Sequence, residues 1–471
     1  MFSVSKLVGV LALATLAVST AASTGFNAPT KDLFDQSMTW LDKLYDPAAG
    51  YLYYFYLPLA AGPHETRSSG DDVEQACKII RNVIADQEKD VEKQWFGDYT
   101  VFPEQPTVGT DAYPQSIYNT WDPNWRGFIG TNLIVIYEEF GSLLPVDVKQ
   151  LILESIYRVG GVDGDNLYPS YSNPAIMRAV ASGWTGRKLN ESNMTAAGEM
   201  YAREIIDLFN VNDTLSEFNV PTYYGISLYG LTEGPGMIRA VWSAVGQFWH
   251  AGMRNLAGPW DRNYGYDTNR YVAILSLYVW SLAGREAALV PHAAVEALQM
   301  FSGERTVNRV AYAPPYDNAH RNVTTWLSEH LTIGAESFDQ VALGGAREDQ
   351  SAWAPAVVQW TREGGHVGFL VFHPAETAVQ ARVAPGELHL TYPNGTAESA
   401  FTFLVDTNPL GRKRDIAGVE DIYGLNVTIG FCGLVGGTCS IIHDFEFWNL
   451  TFVMPVNSTE TPSISFKISH T

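Results

Sequence analysis

Up to about residue 300 the apolar positions recur every three or four residues, and beyond it they form short runs or alternate with polar ones. The first period belongs to a helix with one buried face, the second to a half-buried strand. Residues 30–45 place Leu33, Phe34, Met38, Leu41 and Leu44 on one side before Asp46-Pro-Ala-Ala-Gly-Tyr51 breaks the pattern. A charged helix over 71–93 carries Val73, Cys77, Ile80 and Ile84, and residues 94–120 are irregular and rich in Pro, Gly and aromatics.

From there the pattern becomes rhythmic. Trp121-Asp-Pro-Asn-Trp125 leads into a helix with Phe128, Ile129, Leu133, Ile136 and Phe140, and residues 145–159 make the next. Tyr168-Pro-Ser-Tyr-Ser-Asn-Pro174 opens a third helix ending near Gly183, and 190–209 is a fourth. Glu217-Phe-Asn-Val-Pro-Thr-Tyr223 opens the fifth, where Asn219 can cap and Pro221 suits a first turn. A sixth runs from Met237 to Leu256, and Gly258-Pro-Trp-Asp-Arg-Asn-Tyr-Gly-Tyr-Asp267 opens the seventh, with a short eighth from Pro291. Every second helix is thus introduced by a loop bearing an aromatic plus Asn or Asp. In a ring of helical hairpins alternate helices lie inside, so these loops are expected to converge on one mouth.

The expected fold is therefore mainly α plus β: an (α/α) toroid over residues 23–304, then an antiparallel β-sandwich-like domain over 305–471. Residues 366–373, 387–392 and 400–405 read as strands of the second part.

Lys6 followed by the apolar run from Leu7 to Val18 and the small residues after it predicts a secretory signal over residues 1–22. No later run reaches the length of a membrane span, so a secreted, extracellular protein with no membrane partner is expected. Eight Asn-x-Ser/Thr sequons agree with export, at Asn190, Asn193, Asn212, Asn322, Asn394, Asn426, Asn449 and Asn457. Of the three cysteines, Cys432 and Cys439 flank a turn-rich loop and are expected to pair across a hairpin, leaving Cys77 a buried thiol. A net charge of −21 excludes a basic footprint for nucleic acid and gives no long-range attraction for an anionic polymer.

Phosphate loops, His-Glu-x-x-His, Gly-x-Ser-x-Gly and Cys-x-x-Cys are all missing from the sequence, so neither a metal nor another cofactor is expected. Trp121, Trp125 and Trp260 are either sugar platforms or loop anchors. His250 and Arg254, four apart on a helix, either complement its dipole or border the mouth. Asp261-Arg262 is either an ion pair shaping its loop or a source of the cation that binds a carboxylate.

The order of elements, with Asn219-Val-Pro-Thr-Tyr-Tyr-Gly225 and Gly258-Pro-Trp-Asp-Arg-Asn-Tyr-Gly265, resembles the secreted α/α-toroid polysaccharide lyases of the heparinase-like and alginate-lyase-like kind. The resemblance implies β-elimination on a uronic-acid-containing glycan, with Tyr223 moving the proton and Asn219, His250 and Arg262 neutralising the acidic group. Trp121, Asn124, Trp125, Tyr171, Tyr224, Trp260, Asp261, Tyr264 and Asp267 are the substrate-binding candidates. Three alternatives stay open. A glycoside hydrolase would use two carboxylates among Asp122, Glu217, Asp261 and Asp267. A small-molecule cyclase, isomerase or dehydratase could reuse the mouth. A glycan-binding protein would need only the tryptophans. Oligomeric state is not legible.

Overall fold

The computed structural model describes residues 45–46, 51–52, 72–100, 105–160, 167–219, 227, 246–260, 300–343, 353–431, 438–444 and 447–471. The chain divides into two compact units. The first comprises residues 1–207, 225–238 and 270–289, and the second 208–224, 239–269 and 290–471.

In the first unit, Tyr45–Asp46 pairs with Tyr51–Leu52 across the expected break. The helix expected over 30–45 otherwise lies outside the described residues, as do the signal segment and the seventh and eighth helices. Among the described residues five α-helices follow: α1 (Asp72–Ala85), α2 (Asn124–Phe140), α3 (Val146–Gly160), α4 (Ser172–Leu189) and α5 (Ser192–Asn212), whose last turn counts with the second unit. Helix α3 has Asp147 in its first turn and Arg158 in its last, each facing the favourable end of the helix dipole. One apolar cluster joins Cys77, Ile80 and Ile84 of α1 to Ile129, Leu133 and Ile136 of α2 and Val148, Ile152 and Ile156 of α3. The α1 and α2 positions are those that the three- and four-residue spacing selected.

Helix α1 is shorter than its charged pattern suggests, ending at Ala85. Helix α4 is longer, running past Gly183 to Leu189, where Asn190 closes it in the left-handed region with φ 58°. Gly183 serves packing rather than termination. A Cβ on Gly198 of α5 would lie 2.3 Å from the Gly183 nitrogen, so these two glycines let the helices touch backbone to backbone.

The second unit is built on two antiparallel sheets. Its strands are β1 (Trp249–His250), β2 (Asn255–Leu256), β3 (Arg305–Ala311), β4 (Arg321–Leu327), β5 (Leu331–Glu336), β6 (Phe338–Asp339), β7 (Ala356–Thr361) and β8 (Val367–Pro374). Then come β9 (Ala378–Ala384), β10 (Glu387–Thr391), β11 (Ala400–Asp406), β12 (Leu425–Phe431), β13 (Thr438–Asp444), β14 (Phe447–Val453) and β15 (Ser463–His470). The larger sheet has the order β13-β14-β11-β8-β7-β5-β4-β3 and the smaller β12-β15-β10-β9-β6, while β1 and β2 form a hairpin of their own. Trp448, Leu450 and Phe452 of β14 are buried while the residues between them are half-buried, the period of two that marks a sheet with one core face. That core takes Phe372, Phe401, Phe403 and Phe452 from the larger sheet and Leu388, Leu390, Ile464 and Phe466 from the smaller, so the sheets share one interior.

Three expectations are corrected here. Residues 249–256, assigned to a helix by their spacing, form the β1–β2 hairpin, with Trp249 opposite Leu256 and Arg254 at φ 51°. The His250 ring accepts the Met253 N–H at 3.0 Å, giving the backbone a local partner that competes with a helical bond. Asn219 is no helix cap: its φ is 48°, not the extended value of a capping residue, and its amide points away to other main chain. The loop between the two expected bridge cysteines is no hairpin, because β12 belongs to the smaller sheet and β13 to the larger. Cys432 itself lies outside the described residues. Cys77 is buried and free, as expected.

Candidate functional site

The predicted site residues fall into two assemblies, one in each unit. In the first unit, the irregular stretch before α2 folds into a closed acidic and aromatic cluster. Gly97, at φ 77°, turns the chain so that Asp98 follows Trp95 inward. The Trp95 and Trp121 rings lie 6.4 Å apart, and the Arg126 guanidinium sits 5.6 Å over Trp121 while donating to the Gln94 carbonyl at 2.9 Å.

Asp98 is only 5% exposed. One of its oxygens accepts the Tyr99 N–H at 2.9 Å and the other the Asp122 N–H at 3.3 Å. The Asp122 carboxylate accepts the Asn124 N–H at 2.9 Å, which holds the first turn of α2 in place. Asn124 in turn donates through Nδ2 to the Tyr171 hydroxyl at 2.9 Å, linking the entry of α2 to that of α4. Burial pushes the Asp98 carboxyl well above the usual carboxylate range, and Asp122 adds to the rise while Arg126 opposes it. The neighbouring Tyr99 hydroxyl, 2.7 Å from Ser155 Oγ, is also raised by burial.

Four expected residues therefore meet here: Trp121, Asn124 and Tyr171, with Asp122 from the hydrolase alternative. Trp121 and Trp125 are buried at 5% and 3% exposure, which makes them anchors of the loop and core rather than open platforms for a sugar ring. Trp95, Asp98 and Arg126 were not anticipated. The signal was the density of Trp, Gly and Asp in Trp95-Phe-Gly-Asp98, but nothing in its spacing ties it to α2.

In the second unit, Asn219, His250 and Trp260 are drawn into structural work. Asn219 is fully buried, and its Nδ2 donates to the carbonyls of Ala257 and Pro259, the latter at 2.8 Å. The His250 ring is 1% exposed and stacks on Phe301 with centroids 4.6 Å apart. Its Nδ1 accepts from Met253, so the proton is on Nε2, which donates to the Ser328 carbonyl at 2.8 Å. Burial holds this imidazole below its ordinary pKa, so it is neutral and fully used. Trp260 exchanges two main-chain bonds with Ala354, of 3.0 and 2.9 Å, and packs on Val357 and Val371. Glu217, another hydrolase candidate, is buried at 5% exposure. Asn219 and Trp260 thus hold the 257–260 segment in place, and His250 ties its hairpin to Ser328.

Tyr223, Tyr224, Asp261, Arg262, Tyr264 and Asp267 lie outside the described residues. Of the expected glycosylation sites, Asn190, Asn193, Asn322, Asn394, Asn426 and Asn457 are exposed, and Asn212 and Asn449 are half-buried. Among the described residues no helix is long and apolar enough to cross a membrane.

These features define an α plus β protein in which helices precede two large antiparallel sheets. Residues 31–308 match a domain of unknown function, DUF8769, and residues 303–469 match a second, DUF8770. The first match spans more than half of the chain, which belongs to the DUF8769 family. The two matches meet at 303–308, where β3 begins at Arg305. No curated protein matches the chain.

Proposed function

We propose that the protein is a secreted carbohydrate-active enzyme, with its helical part an α/α toroid and its acid–base group at the Asp98–Asp122 pair. The packing of each of α2, α3 and α4 on the other two, so that alternate helices touch, supports the toroid. The reaction favoured by the site is hydrolysis of a glycosidic bond. The observation that carries it is a buried carboxyl whose acid form is favoured by burial, bonded to the backbone of a second acidic residue. Glycoside cleavage requires one carboxyl that gives up a proton beside a second, and burial biases Asp98 to the first role. An acidic cluster in a chain of net charge −21 also suits a neutral glycan better than a polyuronate.

Elimination on a uronic acid has one observation of its own. The Asn124–Tyr171 bond brings together an amide and a phenol, the residue types that the lyase resemblance requires. Tyr223 and Arg262 belong to the same reading, and replacing Tyr223 with Phe tests it directly.

Product analysis on a panel of neutral and uronic-acid polysaccharides separates the two. New reducing ends without ultraviolet absorbance support hydrolysis, and an unsaturated, absorbing product refutes it in favour of elimination. Asp98→Asn keeps the side-chain shape and should cost about 10²–10⁴-fold in kcat, the range for loss of general acid–base catalysis. Wild-type activity should fall as pH rises through the raised Asp98 value, because only the protonated form donates. An Asp98→Asn enzyme with unaltered turnover would remove the carboxyl pair from the mechanism.

A further inference from the structure

The outer face of the larger sheet carries one continuous cross-strand row. Successive register pairs run Val307–Thr325, Thr325–Gly334, Gly334–Val357, Val357–Val371, Val371–Leu404, Leu404–Asn449 and Asn449–Ile442. Directly paired residues share a face, so these positions form a single line of apolar side chains interrupted by Thr325, Gly334 and Asn449.

Half of that line is covered by the chain itself. The Gly258 carbonyl accepts from Thr325 Oγ1 at 2.7 Å, and the space a Cβ on Gly334 would need is filled by the same carbonyl. Trp260 then covers Val357 and Val371. Beyond Val371 the row continues through half-buried Leu404 to Ile442, which is 63% exposed. Half-buried Phe447 sits two residues along β14 from Asn449, with its ring 6.4 Å from that of Phe369.

At the centre of this second half is Asn449, the acceptor of the sequon Asn449-Leu-Thr451, flanked on either side by Leu404 and Ile442. We propose that Asn449 carries an N-linked glycan whose first sugar lies along the row over Leu404 and Ile442, completing the cover that Gly258 and Trp260 begin. This rests on the export reading. Side chains directly opposite on neighbouring strands are about 4.5–5.5 Å apart, so a sugar attached at the middle position reaches both neighbours. Transfer joins Asn449 Nδ2 to the anomeric carbon of an N-acetylhexosamine and breaks that carbon's bond to a lipid diphosphate. The amide proton leaves with the diphosphate.

The test uses the full chain secreted from a glycosylating host. Enzymatic deglycosylation in heavy-oxygen water followed by peptide mapping reads occupancy at each sequon. Asn449 is expected to be occupied. Asn449→Gln should raise binding of an apolar dye several-fold and bring on aggregation earlier, whereas Asn193→Gln, at an exposed sequon of α5, should do neither. Trimming every glycan to its first sugar should leave dye binding low, and Ile442→Thr should restore solubility to Asn449→Gln. Occupancy elsewhere with Asn449 bare, or an Asn449→Gln protein that behaves as wild type, overturns this proposal alone. A chain without glycan at any sequon overturns the export reading and this proposal with it.

Discussion

Replacing Asn219 separates a structural from a catalytic role. Its Nδ2 serves the carbonyls of both Ala257 and Pro259, and no water reaches a fully buried amide to take its place. In Asn219→Ala each of these carbonyls loses that donor, at about 1–2 kcal/mol apiece. Ala must also hold the φ of 48° that Asn tolerates better, adding about 1 kcal/mol. The loss expected is about 3–5 kcal/mol, or a fall of roughly 1–1.7 M in the urea midpoint if the slope is about 3 kcal/mol per molar. Asn219→Gly removes the conformational cost but not the lost hydrogen bonds, so it should recover only about 1 kcal/mol of the deficit. Urea titrations of the three proteins, followed by circular dichroism, measure both steps. An Asn219→Ala protein with the wild-type midpoint but no activity would refute the structural role and return Asn219 to the chemistry.

Three further outcomes are expected. Gly334→Ala should fold poorly or lose at least about 3 kcal/mol, because its new methyl has no room beside the Gly258 carbonyl. Secretion yield and urea midpoint check this, and a wild-type midpoint would mean the 258–260 segment is not seated on the sheet. Arg321→Met should cost about 3–5 kcal/mol, since it strands the buried carboxylates of Asp317 and Glu336 that now pair with the guanidinium; neutralising both in the same chain, as Asn and Gln, should recover most of the loss. His250 has a folded pKa below its unfolded value, so the stability it contributes is complete above about pH 6.5 and is lost as pH falls through the lowered value. His250→Gln should therefore flatten the fall in stability on the acid side, and an unchanged pH profile would show that the ring does not titrate as its burial dictates.

The local patterns were legible where one element answers to its own spacing. The apolar faces of α1, α2 and α3 and the alternation along β10 and β11 follow from side-chain direction, which each segment fixes for itself. The α plus β character and the presence of antiparallel strands in the second half follow from the same signal. Spacing misled at 249–256, where Trp249, His250, Met253 and Leu256 fit a helix but are satisfied by a hairpin. The deciding bonds there come from Ser328, 78 positions away, and from Met253, and the periodicity of the segment carries neither.

The site shows the same division. Residue type marked Asn219 and His250 as reactive, and only the tertiary structure decided that their donors are consumed by main-chain carbonyls. Conversely, the density of Trp95-Phe-Gly-Asp98 says nothing of the raised pKa of Asp98, which comes from its burial and from the Asp122 carboxyl that folding sets near it. Burial and long-range pairing are properties of the closed chain. The sequence alone determined which segments could hide an apolar face, while the enclosure that raises one carboxyl's pKa and ties one amide to two carbonyls arose only when those faces met.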